Sequence, residues 1–455
     1  MTLFKFYFYS LVILILFLFS YQFNLFRASS NDFYKNHQTD SEALVVGKLL
    51  HTSFENYFSD GGFIGYIKPD GAKFIDNAHM IDYQYDSFYN GGIGNLELEP
   101  YMQSAGFQGF FYTSIMKILE LINVKNNFSK MFFMKLITVL LTSILLVMFI
   151  QFVLKEFGFL TSLITFLFFL FSQWLVVFSH NLYWMFFLLL SPFIIVLSFY
   201  RKNEEGKKIN LFCCLFVFIS ILLKSLAGYE YISTILISII VPLLYFTKKN
   251  NWGVKRFVVH SIAIGASGLI GFLVAIIFHV VQLKFYLSSW QAAISHIIFT
   301  IAKRTYGEPS KLPEVYRESL EGSLLTVFKF YSKSKIFDLS QLIGFNFQIR
   351  FFMILILLLF LSRFVLRKIR ENDLNFLGER KNQLYALVYT TWFSMLAPIS
   401  WYVLAKGHSY VHTSINHVLW YLPFLLFGFT LISFCINYKV SYYFSRRINS
   451  HPIST

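Results

Sequence analysis

The chain is predicted to be an all-α, polytopic transmembrane protein, on three observations. Hydrophobic residues fill 56% of its 455 positions, above the share found in soluble domains. They fall into repeated runs of about twenty, the length a helix needs to cross the hydrocarbon core. The runs are continuous rather than short alternating segments, which excludes an outer-membrane barrel. One integral-membrane domain, 1–455, accounts for the length.

The first segment, 3–26, opens with Lys5 and is followed by Arg27-Ala28-Ser29-Ser30. Its apolar core is longer than that of a cleaved signal and no A-x-A-like site follows, so it reads as a retained anchor with a cytoplasmic N-terminus. The next stretch, 27–100, carries eleven Asp or Glu against five Lys or Arg. This acidic excess predicts a first non-cytoplasmic loop, 27–106, because basic residues favour the inside. Within it Val45, Val46, Leu49, Leu50, Phe54 and Phe58 recur at helical spacing. A juxtamembrane helix over 40–58 is expected, lying on the membrane surface and ended by Ser59-Asp60-Gly61-Gly62. The 83–92 stretch joins aromatic residues to a turn, and local structure accounts for it. Gly91-Gly92-Ile93-Gly94 lacks the Lys-Ser/Thr of a phosphate loop.

Further spans are predicted at 131–153, 159–178, 182–200, 209–226, 230–247, 257–282, 350–366, 383–405 and 415–437, which with the first makes ten. Segment 107–122 is apolar enough to cross, yet counting it breaks the charge alternation of the loops; it reads as interfacial or re-entrant, with eleven spans as the alternative. Basic loops at 201–208, 248–256 and 363–381, and the tail after Lys439, fall on the cytoplasmic side. The turns at His180 and Gly228, a second large loop at 283–349 and the 406–417 turn then share the outer side with the first loop. In the second loop, 303–309 leaves a helical pattern and 311–331 is expected to form another surface helix.

The net charge of +15 is explained by these loops and points to topology, not nucleic acid. Cys213, Cys214 and Cys435 lie in apolar segments without metal-ligand spacing, as packing residues do.

Asp40-Ser41-Glu42 directly follows the anchor. Thr39-x-x-Glu42 matches a capping box, which alone explains Glu42; Asp40 suits the first turn of a helix. Two carboxylates at a bilayer edge can equally bind a divalent cation such as Mg or Mn, or take a proton from an acceptor hydroxyl. Lys303, Arg304, Lys406, His408 and His412 fall on the same side and could hold a phosphate or sugar. His408 and His412, four apart, share a helical face, a weak metal signal without a third ligand. Further candidates are His180, beside Asn181, and Lys224 with Glu230, which flank an outer-side turn; a Lys224–Glu230 pair, or Lys224 snorkelling to the surface, is the structural alternative.

An N-terminal anchor, a large outer loop opening on the acidic Asp40-Ser41-Glu42, many spans and a second outer loop together resemble the GT-C superfamily of integral-membrane glycosyltransferases. The resemblance spans most of the chain in architecture and rests on that one motif. It implies a polyprenyl-phosphate-linked sugar donor, an active site on the non-cytoplasmic face, and Asp40 as catalytic base or metal-binding acid with Glu42 as its partner. Mannosyltransferase-like members have adjacent Asp and Glu, whereas Ser41 intervenes here. No second-loop acid is identified, although His180-Asn181 lies near where one would fall. A cell-envelope glycan, lipid or protein would be the acceptor, membrane lipids the surroundings, and the bacterial inner membrane, with the active site on its periplasmic or outer side, the location. The competing classes are a transporter or flippase of lipid-linked glycan and an envelope polysaccharide polymerase. A transporter usually carries polar groups at mid-membrane, whereas here they gather at span ends.

Overall fold

The computed structural model describes residues 3–69, 76–91 and 96–449. It is 75% helical, and the chain is an integral membrane protein. Five helices are long and apolar enough to span a bilayer: Phe4–Phe23, Asn127–Phe157, Ile232–Lys249, Val254–Leu287 and Lys381–Leu404. A sixth is added if Phe159–Leu170 and Gln173–Ser179, bent by 66° at their junction, count as one. Leu211–Ala227 and Phe424–Val440 are apolar but shorter.

Several predicted spans are therefore helical over only part of their length. The 159–178 segment bends at Ser172, whose hydroxyl caps the next helix by accepting from Leu175 N–H. The 182–200 segment becomes helical only at Phe186, after Met185 in the left-handed region (φ 42°). The 415–437 segment starts as a 3-10 turn, Asn416–Tyr421, and Pro423 precedes its long helix. That helix continues through Lys439 to Asn449; the last residues of the tail, 450–455, lie outside the described region, as do Gly92, Ile93 and Gly94 of the glycine run. Irregular backbone at membrane depth is stable where protein surrounds it or where it lines a cavity. Of the residues near these breaks, 180–184 and His412 belong to the polar centre described below.

The 27–106 region is more buried than its composition implies. The expected surface helix runs only from Thr39 to His51, and every residue from Glu42 to His51 is buried. Its close neighbour is a two-stranded antiparallel hairpin, Gly65–Pro69 with Leu96–Pro100. A Cβ on Gly47 would stand 2.2 Å from the Gly65 carbonyl oxygen, so glycine allows helix and strand to touch. Lys48, inside this helix, donates to the Tyr57 carbonyl at 2.8 Å. Residues 83–90 are the end of a helix, Asn77–Asn90, capped by Gly91 in the left-handed region; local structure accounts for the described part of this stretch. A second hairpin, Lys335–Asp338 with Gln348–Arg350, and short helices at Arg317–Glu321 and Leu324–Ser332 replace the single helix expected over 311–331.

Segment 107–122 forms a 15-residue helix, Phe107–Leu121. At 1.5 Å per residue it reaches roughly 22 Å, short of the ~30 Å hydrocarbon core. It is held instead by Gln108, whose amide donates to the carbonyls of Tyr183 (3.0 Å) and Ala227 (2.7 Å).

The loops gather in two sets. Glu204 accepts from Lys249 at 2.8 Å and lies 3.5 Å from Lys155, and its carbonyl accepts from Trp252, which knits the basic loops together. Glu42, Leu182, Glu230, Arg304, His408 and His412 meet in the other set.

Candidate functional site

Glu42 is the most enclosed member of the site, 2% exposed. Its Oε2 accepts from the Tyr85 hydroxyl at 2.7 Å and from Lys135 Nζ at 2.9 Å, and its Oε1 from Leu182 N–H at 2.9 Å. Burial pushes its carboxyl pKa up, but the Lys135 ammonium and the Leu182 amide outweigh it and hold the group below its ordinary value. The capping-box reading is corrected here. The residue before the helix is Gln38 in the left-handed region (φ 58°) with no side-chain cap, and Thr39 donates to the Asn36 carbonyl. The Glu42 side chain turns away from the helix start, toward Lys135.

Asp40 is exposed, and its carbonyl accepts from the Tyr66 hydroxyl at 3.0 Å. Two residues apart on a helix, side chains lie on different faces, and the opposite burial of Asp40 and Glu42 follows from that. They do not act as one pair. With both Glu42 oxygens held by donors, a shared Mg or Mn site would have to displace Lys135. Among the described residues no group of three His, Cys, Asp or Glu is arranged to hold a metal ion.

The second centre is Arg304, at the end of helix Trp290–Arg304. Its Nη2 lies 3.0 Å from Glu230 Oε1, with both side chains largely buried. The expected Lys224–Glu230 pair is not the contact formed: Lys224 donates to the Gly228 carbonyl at 2.5 Å, closing its own helix end. The Tyr101 hydroxyl lies beside the guanidinium. Arg304 Nη1 is buried and has no hydrogen-bond partner among the described residues. Burial pushes the Arg304 pKa down, and Glu230 more than restores it. The side chain also lines an apolar cavity of about 310 Å³ with Tyr229, Ile232, Phe272, Ile297 and Trp401, in which it is the one charged group.

The His408 and His412 rings pack at a tilt of 37° with centroids 4.3 Å apart. His408 is buried, and burial, with His412 and Arg304 adding to it, holds its pKa far below the usual imidazole value. His412 is exposed. Its pKa is lowered by desolvation and by Arg304, while Glu230 and Asp40 pull it upward. The last contribution places Asp40 within electrostatic reach of His412, so the first loop, the second loop and the 406–417 turn meet at one centre.

The other predicted residues serve different contacts. Lys406 donates to the Leu320 carbonyl and lies over the Tyr306 ring. Lys303 rests over Phe299 and Tyr316 at 5.4 and 5.5 Å, and burial brings its pKa down to about 8. Neither lines the apolar cavity. His180 stacks on Tyr34 at 4.4 Å and contacts the Val176 carbonyl through Nδ1; burial lowers its pKa to about 4. Asn181 donates to the Gln38 carbonyl and accepts from Tyr183 and Trp184 N–H, fixing the turn that meets Glu42. Lys135 was missed, although a lysine inside the predicted 131–153 span was a readable signal, since ionisable groups there need a partner. Tyr85 and Tyr101 carried no such signal.

No protein-family model, curated protein or solved structure matches the chain.

The arrangement offers three chemical capacities. Asp40 is an accessible carboxylate that can take a proton. Arg304 presents a fixed, half-satisfied guanidinium suited to a phosphate oxygen. The cavity beside it takes apolar chain.

Proposed function

We propose that the protein is a membrane glycosyltransferase of GT-C type, moving a sugar from a polyprenyl-phosphate-linked donor to a cell-envelope acceptor on the non-cytoplasmic face. The observation that carries this reading is Arg304, with Nη2 locked to Glu230, Nη1 unpartnered, and an apolar cavity alongside. A phosphate on a long hydrocarbon is the ligand class that uses all three. The isoprenoid occupies the cavity, and a phosphate oxygen accepts from Nη1.

In the reaction the acceptor hydroxyl oxygen attacks the anomeric carbon. The bond from that carbon to the phosphate oxygen breaks, its electron pair stays on the phosphate, and the hydroxyl proton passes to Asp40. Configuration inverts. Arg304 stabilises the charge that grows on the leaving phosphate, and His412 lies within electrostatic reach of both Asp40 and Arg304. Glu42 and Lys135 fix the helix that presents Asp40. The ten-span arrangement, with 27–106 and 283–349 as the two large outer loops, belongs to the same proposal.

Asp40→Asn in intact membranes tests it. Mass spectrometry of envelope glycans is expected to show the product lost at unchanged protein level, and an unchanged product would sink the assignment of Asp40. The rival reading, movement of a lipid-linked glycan, draws on the same apolar cavity. Purified protein that moves a labelled lipid across vesicles and releases no polyprenyl phosphate would install it instead. A product ladder of growing glycan chains would point to a polymerase.

A further inference from the structure

At the other set of loops, four helices border a cleft of about 770 Å³ that the transfer chemistry does not use. Phe6 comes from the start of the first helix, Leu154 and Lys155 from the end of Asn127–Phe157, Phe159 from the start of the bent pair, and Arg201 and Lys202 from the end of Phe186–Lys202. The lining combines two chemistries: the apolar Phe6, Leu154 and Phe159, and three cations.

The neighbouring acids are already engaged. Glu156 accepts from Tyr245 at 2.7 Å and from Lys249 at 2.9 Å, and Glu204 from Lys249 at 2.8 Å. Lys155 reaches Glu204 only at 3.5 Å, with its side chain 57% exposed. Arg201 is within electrostatic reach of Glu156 and Glu204, yet neither it nor Lys202 forms an ion pair or side-chain hydrogen bond among the described residues. No carboxylate among the described residues lines this cleft, so Arg201 and Lys202 have charge to spare and Lys155 is only loosely engaged.

We propose that this cleft binds one anionic membrane phospholipid, its phosphate held among Lys155, Arg201 and Lys202 and an acyl chain laid along Phe6, Leu154 and Phe159. Basic hollows between helices at the membrane border attract acidic headgroups. Charge complementarity selects an anion. The apolar wall selects a lipid over a free phosphate, which would gain nothing from the two phenylalanines. The proposal is independent of the glycosyl-transfer reading.

The test uses the full-length protein in detergent, with native mass spectrometry of bound phosphatidylglycerol, phosphatidylcholine or inorganic pyrophosphate. Phosphatidylglycerol should bind more tightly than phosphatidylcholine and weaken as salt rises. Each cation removed should weaken it roughly fivefold, from the usual worth of a basic residue near an acidic bilayer. Arg201→Gln with Lys202→Gln should therefore lose about 25-fold for phosphatidylglycerol and nothing for phosphatidylcholine. Lys202→Gln alone changes an exposed residue and provides the same reading if the double variant fails to fold. Equal binding of the two lipids, or full retention by either variant, overturns the proposal. Binding of pyrophosphate at the same strength, unchanged by Phe159→Ala, would assign the cleft to a soluble phosphate and overturn the lipid.

Discussion

Two largely enclosed ion pairs tie the loops together, Glu42–Lys135 and Glu230–Arg304. At the first, three donors occupy both carboxylate oxygens. At the second, Arg304 commits Nη2 to Glu230 and leaves Nη1 bare beside an apolar cavity. A saturated pair can only hold the fold together; an unsaturated one leaves a buried donor whose desolvation is offset only when a ligand arrives. The same residue types thus divide into scaffold and site, and the difference lies in the count of partners.

The sharpest way to break this comparison is on the proposed transfer reaction. Asp40→Asn should lower the rate by about 10²–10⁴, the usual worth of a general base, with the thermal midpoint unmoved because Asp40 is exposed. Arg304→Gln should cost roughly 10²–10³ in rate, as for loss of one charge-stabilising donor, read by radiolabelled sugar transfer in membranes. Glu42→Gln should act chiefly through folding, with a loss of about 1–3 kcal/mol, as the half-buried Lys135 loses its counter-charge and the hydrogen bonds to the buried carboxylate are weakened. Denaturant titration in detergent measures it. If Glu42→Gln folded normally and lost activity, the division into scaffold and site would fail.

A smaller effect follows from acid. His180 titrates at about 4 and His37 at about 3, each from an ordinary 6.5 and each because burial disfavours the charged ring. A depressed pKa means that the unfolded chain binds the proton first. The stability these rings contribute is complete above pH 6.5 and drains as pH falls toward 4 and 3, at up to ~1.4 kcal/mol per pH unit for each. The thermal midpoint should drop across that window, and His180→Asn should flatten part of the fall. The least effect is expected at Lys406→Met, below ~1 kcal/mol and with little change in transfer, because its ammonium serves the Leu320 carbonyl rather than the cavity.

The sequence made the helical framework legible because apolar runs and basic loops are local signals. Charge alternation also assigned residues near His180, Glu230, Arg304 and His412 to one side; in the fold Glu230 pairs with Arg304, His412 lies within electrostatic reach of both, and Leu182 meets Glu42. What local patterns cannot carry is partner choice. Glu230 pairs with Arg304 rather than the nearer Lys224, and Glu42 reaches Lys135 instead of capping its own helix; both are decided by distant segments in three dimensions. Periodicity likewise read 40–58 as a surface helix, because Val45, Val46, Leu49, Leu50, Phe54 and Phe58 recur at a spacing that buries one face only. In the fold Lys48 is buried with its amine on the Tyr57 carbonyl, and His51 lies 3.2 Å from Asp60.

The short Phe107–Leu121 helix has a bearing on biogenesis. Its Gln108 amide finds its carbonyl partners 75 and 119 residues later in the chain. At roughly 5–20 residues per second, the ribosome has moved on for about 6–24 s before the Ala227 carbonyl exists. Throughout that interval the helix has its upstream packing against Lys48 and Ile64 but not the two Gln108 hydrogen bonds, so the final closure of this region waits on the downstream chain.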